Sequence, residues 1–423
     1  MSQFRITGQI PLSGTITISG RKNAALKLIA ATILSDQPIT LHRIPEIGDV
    51  RTMLEILGRM GATIEVLSTS SARINTANIQ DPTIPHELGR KLRASLVLVG
   101  PLLARFGRAT FPHPGGCVIG KRSIAPHLEA FQRLGADIQF DGSTYTITTE
   151  HQLQGSDIYL KERSVTGTEN LIMAATRANG ITRIFNAAEE PHISNLCRLL
   201  QKLGYQISGE GTSTVSIVGA SELSHLTAEE TIIPDEIEVG TFAVASVITH
   251  GEVTLKEVGS RRDLLPILSK LEDFNVQFSY NEAEETLAVH PSPNLTGANV
   301  QTNPWPGFPS DLQSPFTILA TQATGTSLIH DWMYEGRLYF VDLLQRMGAN
   351  IVTCDPHRAL VTGPTPLFKN SLITPDLRAG AALVLAALVA EGISIVEHTE
   401  LIDRGYAQID QRLRDLGAKI TRE

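Results

Sequence analysis

The chain has 423 residues, 42% of them apolar and 19% charged, and its 36 basic against 44 acidic side chains give a net charge of −8. That length exceeds what one hydrophobic core ordinarily supports, so two domains are expected. The acidic balance, with no long Lys/Arg run, argues against nucleic-acid binding through the phosphate backbone.

The first ten residues have no charged flank leading into an apolar core, so no secretory signal is expected and a cytoplasmic protein is. Phe4 to Ile18 reads as a strand that must pair elsewhere in the chain. Ser19-Gly20-Arg21-Lys22-Asn23 then opens an apolar helix. Backbone N–H groups, the helix dipole and a lysine converge there in the manner of an anion site. The most apolar stretches, Ala94 to Ala104 and Ala379 to Ala390, fall short of the about 20 residues that span a bilayer and read as buried helices. Cys117, Cys197 and Cys354 form no C-x-x-C pair, which disfavours a disulfide framework and a zinc ribbon.

A phrase of the form Leu/Met-Gly-Ala-x-Ile recurs, with pivots at Gly61, Gly135, Gly204, Asn275, Gly348 and Gly417, spaced by 69–74 residues. An amphipathic helix ends before each pivot, the pivot turns left-handed, and an alternating segment leaves as a strand. Asn is the residue best able to replace Gly at positive φ, so position 275 fits the same geometry. Upstream of the pivots lie Ala/Leu/Val-rich helices followed by strands, as at Ala174 to Phe185, Ala243 to Leu255, Leu319 to Ile329 and Ala386 to Val396. Six α/β units thus fill the chain, three to a half, with a seam near Thr231 to Pro234.

One loop departs from its counterparts. Gly115-Gly116-Cys117-Val118-Ile119-Gly120-Lys121-Arg122 places a thiol among glycines and two cations, where packing asks for none of them. Glycines let the backbone approach a ligand, and Lys121 and Arg122 favour thiolate and bind anions. Zinc held by His113, Cys117 and His127 is the rival reading, but that spacing matches no common zinc pattern. Basic residues also recur at helix ends and in loops, at Lys22, Arg93, Arg337, Arg378 and Arg404, and together would suit a substrate carrying phosphate and carboxylate. Asp311 lies on a proline-stiffened loop and reads equally as an acid-base group or as a helix cap.

Ser19 to Leu26, Leu92 to Ser95, Gly100 to Gly107, Gly115 to Gly120, Pro234 to Glu238 with Gly240 to Phe242, Phe308 to Asp311, Asp376 to Arg378 and Ile402 to Tyr406 closely resemble, in order, the UDP-N-acetylglucosamine enolpyruvyl transferases of the EPSP synthase superfamily. The resemblance implies an inside-out α/β barrel pair of six repeats of about 70 residues. It places residues 22–233 in one domain and 1–21 with 234–423 in the other, closing over the substrates. It also implies transfer of the enolpyruvyl group of phosphoenolpyruvate to the sugar 3′-hydroxyl by addition and elimination, opening peptidoglycan precursor synthesis.

By the same resemblance Cys117 is the acid, Asp311 the base, and Lys22, Arg122 and Arg404 hold phosphate and carboxylate, supported by Arg378 and Arg337. Asn23 joins Asp311 on the sugar. Arg93, Ser123, Ile124, Ala125, Pro126, Ser164, Val165, Thr166 and Met333 complete the substrate-binding set. A thiol in this setting is expected to form a covalent adduct with phosphoenolpyruvate and to be alkylated by fosfomycin. No metal, cofactor or obligate protein partner is expected, and the partners are the two small-molecule substrates.

The chain departs from the family at three places. Ser123-Ile124-Ala125-Pro126-His127 stands for the usual Pro-x-Asp-x-His, Ser164-Val165-Thr166 for Ser-Val-Gly, and Arg21 for a small residue. Two rivals remain. The shikimate-pathway sibling would lack the Gly-Gly-Cys loop, and a non-catalytic sugar-nucleotide binding paralogue would have no need of the Lys22, Cys117, Arg122, Asp311 and Arg404 set.

Overall fold

In a computed structural model of the protein, residues 2–115, 119–120 and 122–423 are described. They form two compact units, one of residues 2–19 and 234–423 together with Ile119 and Gly120, the other of residues 20–115 and 122–233.

The central helices set the layering. Leu377–Val389 is apolar on all sides and buries residues 378–388, and Glu236–Ile248 is buried along its whole length. A helix without a polar face must be enclosed. The strands supply the enclosure because they alternate: Gln3–Thr7 buries Phe4 and Ile6, and Ile181–Phe185 buries Thr182 and Ile184. Each sheet therefore keeps one face on the helices and one in water, which puts helices inside and sheets outside.

Three sheets of one design build each unit. Asp157–Tyr159 leads to helix Val165–Ala175, strand Ile181–Phe185, helix Pro191–Lys202 and the hairpin Gln206–Ser208 with Thr214–Val218. The second hairpin strand pairs antiparallel with Ile181–Phe185, and Asp157–Tyr159 pairs parallel with its other edge. Ile39–His42 is bounded in the same way by Ser71–Asn75 and, in parallel, by Ala228–Thr231. The last strand of this unit thus pairs with its first. In the third sheet, around Arg108–Pro112, the parallel neighbour is reduced to a bridge between Thr83 and Thr110.

In the other unit the N-terminal segment completes two repeats. Gln3–Thr7 lies between Ile393–Glu397 and Lys419–Arg422, and Ser13–Thr17 pairs parallel with Glu252–Lys256. The single strand expected from Phe4 to Ile18 is therefore two strands in different sheets. The break falls where Gln9 takes a φ of 60° and Pro11 lacks an N–H for a ladder. Gly325–His330 carries the remaining sheet.

The pivots behave as their chemistry requires. The five glycines have φ between 88° and 110°, and Asn275 has φ 57° with its Nδ2 donating to the Asn294 carbonyl at 2.8 Å. Among the described residues no helix is long and apolar enough to cross a membrane. Left-handed backbone costs a residue with a Cβ about 1–2 kcal/mol unless a short polar side chain compensates locally. Asn275→Ala is accordingly expected to lower the melting temperature by a few degrees, while Asn275→Gly leaves it near wild type, as differential scanning calorimetry would register.

Candidate functional site

In the unit that contains the C-terminus, Asp311 sits in a short 3-10 turn, Ser310–Leu312, that runs into helix Gln313–Gln322. It does not cap that helix. Its Oδ1 accepts from Arg337 Nη2 at 2.5 Å and its Oδ2 from Arg378 Nη2 at 3.0 Å. Both guanidinium groups are buried. Burial alone would depress the Arg378 charge, but the Asp311 carboxylate, Tyr406 and Asp235 outweigh it and hold the group above its ordinary range. Arg337 is raised in the same way, against burial, by Asp311, Asp376 and Asp331. Two charged donors, one to each oxygen, fix the plane of the carboxylate.

Supporting groups place the clamp. Arg337 Nε donates to Ser310 Oγ at 3.1 Å, and Ser310 Oγ donates to Asp331 Oδ2. Asp331 Oδ1 in turn accepts the backbone N–H of Met333 at 3.0 Å, which ties Met333 to the same network. Arg378 lies over the Tyr406 ring at 5.1 Å, and the Tyr406 hydroxyl bonds Thr241 at 2.9 Å. Asp376 caps the Arg378 helix by accepting from the N–H of Arg378 at 2.8 Å and Ala379 at 3.1 Å. Arg404 ends the 3-10 segment Thr399–Arg404, two residues before Tyr406.

In the other unit, Lys22 and Asn23 begin helix Lys22–Ala31, and Lys22 Nζ pairs with Asp49 at 2.6 Å. The glycine before them has a steric reason, since a Cβ on Gly20 would stand 1.8 Å from the Arg43 carbonyl oxygen. Arg93 Nη2 donates to the Arg122 carbonyl at 2.6 Å. Ser123 Oγ accepts from the Ala125 N–H at 3.0 Å at the entrance to helix Ala125–Arg133, with Pro126 in its first turn. Ser164 Oγ caps helix Val165–Ala175 by accepting from the Gly167 N–H at 3.1 Å.

His127 joins these two helix starts. Its Nδ1 accepts from Asn170 Nδ2 at 2.9 Å, so Nε2 carries the proton and donates to Thr166 Oγ1 at 3.2 Å. Burial, helped by Arg93 and Arg122, lowers its pKa to about 3. Both ring nitrogens are thus engaged, which leaves no lone pair for the zinc set weighed from the sequence.

Asp311, Arg337, Arg378 and Met333 fall in one bonded network, and Ser164 to Thr166 meets Ser123 to Pro126 through His127. Cys117 and Lys121 lie outside the described residues, whereas Ile119 accepts the N–H of Gly336 at 2.8 Å. Reading the sequence missed Asp49, Asp331 and Asn170, and it took His127 as a metal ligand or as the end of the segment 123–127, not as a link between helix starts. A signal existed for Asn170, because Thr168-Glu169-Asn170 is a polar run inside an otherwise apolar helix.

The chain belongs to the EPSP synthase (3-phosphoshikimate 1-carboxyvinyltransferase) family, whose model matches residues 6–413. Within that class it is similar to UDP-N-acetylglucosamine 1-carboxyvinyltransferase of Treponema denticola, at 42% identity over 99% of both chains. The enzyme of the same name from Treponema pallidum is 41% identical over 100% of both. Among solved structures, the enolpyruvyl transferase NikO from Streptomyces tendae superposes with a TM-score of 0.88 at 23% identity, covering 100% of this chain and 98% of that one. EPSP synthase from Acinetobacter baumannii superposes with a TM-score of 0.78 at 19% identity over 100% of both. At these identities the structures bear on the fold alone.

A histidine held neutral in the fold binds fewer protons than it does unfolded, so its contribution to stability is lost as pH falls from about 6.5 toward about 3. The drop in melting temperature between pH 7 and pH 5 is therefore expected to be smaller in His127→Gln than in wild type. An equal drop in both would contradict the neutral Nε2–H form.

Proposed function

We propose that the chain transfers the enolpyruvyl group of phosphoenolpyruvate to the 3′-hydroxyl of UDP-N-acetylglucosamine, releasing phosphate, at the first step of peptidoglycan precursor synthesis. The observation that carries this reading is its full-length likeness, at 42% identity, to a relative of that name. The doubly clamped Asp311 carboxylate supplies a group of the kind the chemistry needs. Both substrates are soluble metabolites, which fits a cytoplasmic enzyme.

In the addition step the sugar hydroxyl oxygen bonds to C2 of phosphoenolpyruvate and its proton passes to Asp311. The Cys117 thiol delivers a proton to the methylene carbon, and a tetrahedral ketal results. Elimination returns a proton from the new methyl group to the Cys117 thiolate, re-forms the double bond and expels phosphate, which takes up the proton held by Asp311. Lys22, Arg122 and Arg404 are assigned to the phosphate and carboxylate, where fixed cations stabilise charge as the ketal forms. Arg337 and Arg378 keep the Asp311 carboxylate oriented between turnovers. Asn23 is assigned to the sugar, and Arg93, Ser123 to Pro126, Ser164 to Thr166 and Met333 to the nucleotide and its surroundings. With Ala125 where the family has Asp, this reading has the uracil side held by backbone groups.

The family model also carries the name of the shikimate-pathway enzyme, so the acceptor is the discriminating measurement. Phosphate release from phosphoenolpyruvate is expected with UDP-N-acetylglucosamine and not with shikimate 3-phosphate; activity with the latter alone would reverse the assignment. Removing a positioned acid or base costs about 10²–10⁴-fold in rate. Losses of that size in kcat are expected for Cys117→Ala and Asp311→Asn, each shown to be folded by circular dichroism. Intact-mass spectrometry is expected to find one fosfomycin adduct on the wild type and none on Cys117→Ala.

A further inference from the structure

One buried polar cluster takes no part in the chemistry above. Lys27 Nζ lies 3.3 Å from Glu169 Oε2, and His192 Nε2 lies 3.2 Å from Glu169 Oε1. The three side chains are 4%, 0% and 2% exposed. They come from helices Lys22–Ala31, Val165–Ala175 and Pro191–Lys202.

The first two of these helices carry proposed substrate groups at their starts. Lys27 stands five residues, about 7.5 Å of helix, beyond Lys22, and Glu169 stands three residues, about 4.5 Å, beyond Thr166. The next residue, Asn170, accepts the N–H of Gly100 at 2.8 Å and donates to the Leu96 carbonyl at 2.8 Å and to His127. Helix Val165–Ala175 is therefore tied on one side to the Lys22 helix and on the other to the His127 helix. A buried ion pair is weak evidence for stability, since apolar residues of the same volume serve as well or better. What it adds is direction, because an apolar contact allows a helix to slide or rotate and a buried charge pair at 3.3 Å resists both.

We infer that Glu169 is a positioning residue, which through Lys27 fixes the Lys22–Asn23 helix start relative to the Ser164–Thr166 helix start. The inference rests on the function proposed above. Its electrostatics make it pH-dependent. Burial raises the Glu169 pKa to about 7, against the lowering effect of Lys27 and Arg21 and with the help of Glu190. Burial also lowers Lys27, which faces Arg21 and Lys22, and holds His192 neutral beside Arg21 and Lys27. Cys197, on the same helix as His192, stays a thiol, raised first by burial and then by Glu210 and Glu169. The carboxylate form grips Lys27, so the grip is lost as pH falls through about 7.

The test compares wild type, the double variant Lys27→Met/Glu169→Gln and the single variant Lys27→Met, with Lys27→Arg as the conservative variant that keeps the pair. Steady-state kinetics with both substrates from pH 5.5 to 9 are read beside melting temperatures. The double variant, which removes both charges at nearly constant volume, is expected to melt within a few degrees of wild type. Its KM for the sugar nucleotide should rise about tenfold, and the acid limb near pH 7 in kcat/KM should disappear. Lys27→Arg should recover most of the KM lost in Lys27→Met. A folded double variant with wild-type KM and an unchanged profile would overturn the inference, and so would a wild type with no limb near pH 7, whether or not the variants fold. If wild type turns over only shikimate 3-phosphate, the proposed function fails while the same KM and pH comparison, made with that acceptor, still judges Glu169.

Discussion

A helix that is apolar on every side has no stable place except inside, and this constraint organises each unit. Leu377–Val389 and Glu236–Ile248 have no polar face to offer water, so three sheets must wrap the helices of their unit. The sheets can do so because their strands alternate, with Phe4 and Ile6 inward on one strand and Val253 and Leu255 inward on another. The parallel strand that joins each sheet to the preceding repeat passes the arrangement round the unit. The pairing of Ala228–Thr231 with Ile39–His42 closes it.

This architecture also explains where chemistry becomes possible. Enclosed helices have starts that emerge from an apolar interior, and those starts carry Lys22 and Asn23, Val165 and Thr166, and Arg378. Polar side chains that reach into such an interior must be fully paired or they cost dearly. Asp311 meets the requirement with two arginines and His127 with Thr166 and Asn170, whereas Glu169 is offset by the nearby Lys27 charge without a hydrogen bond to either oxygen among the described residues. The first two are bonded sets in which a side chain proposed for the site and its support share one network. A rigid support of this kind suits a reaction that needs charged groups fixed in advance of the substrate.

The repeat, the α/β class and the family were legible in the residues themselves. Pivot glycines at regular spacing, the tolerance of Asn275 and eight ordered motifs depend on local backbone geometry and short-range pattern, which a linear sequence carries directly. Asp311, Arg337 and Arg378 were each legible as charged residues in unusual settings, but their union was not. Asp311 is 26 residues from Arg337 in the same repeat and 67 from Arg378 in the next, and only the folding of these two repeats against one another makes them partners.

The sequence by itself determined the helical and strand periodicity, the left-handed turns and the inventory of acids, bases and cations, because each of these depends on a residue and its near neighbours. The tertiary structure alone decided that Phe4 to Ile18 serves two sheets, that Asp311 is clamped rather than capping a helix, and that His127 is a neutral donor. It alone also joined Glu169 to Lys27 across 142 positions of sequence. Partnership and burial are set by long-range packing, and they fix both the ionisation and the direction of a side chain, properties that no run of neighbouring residues specifies.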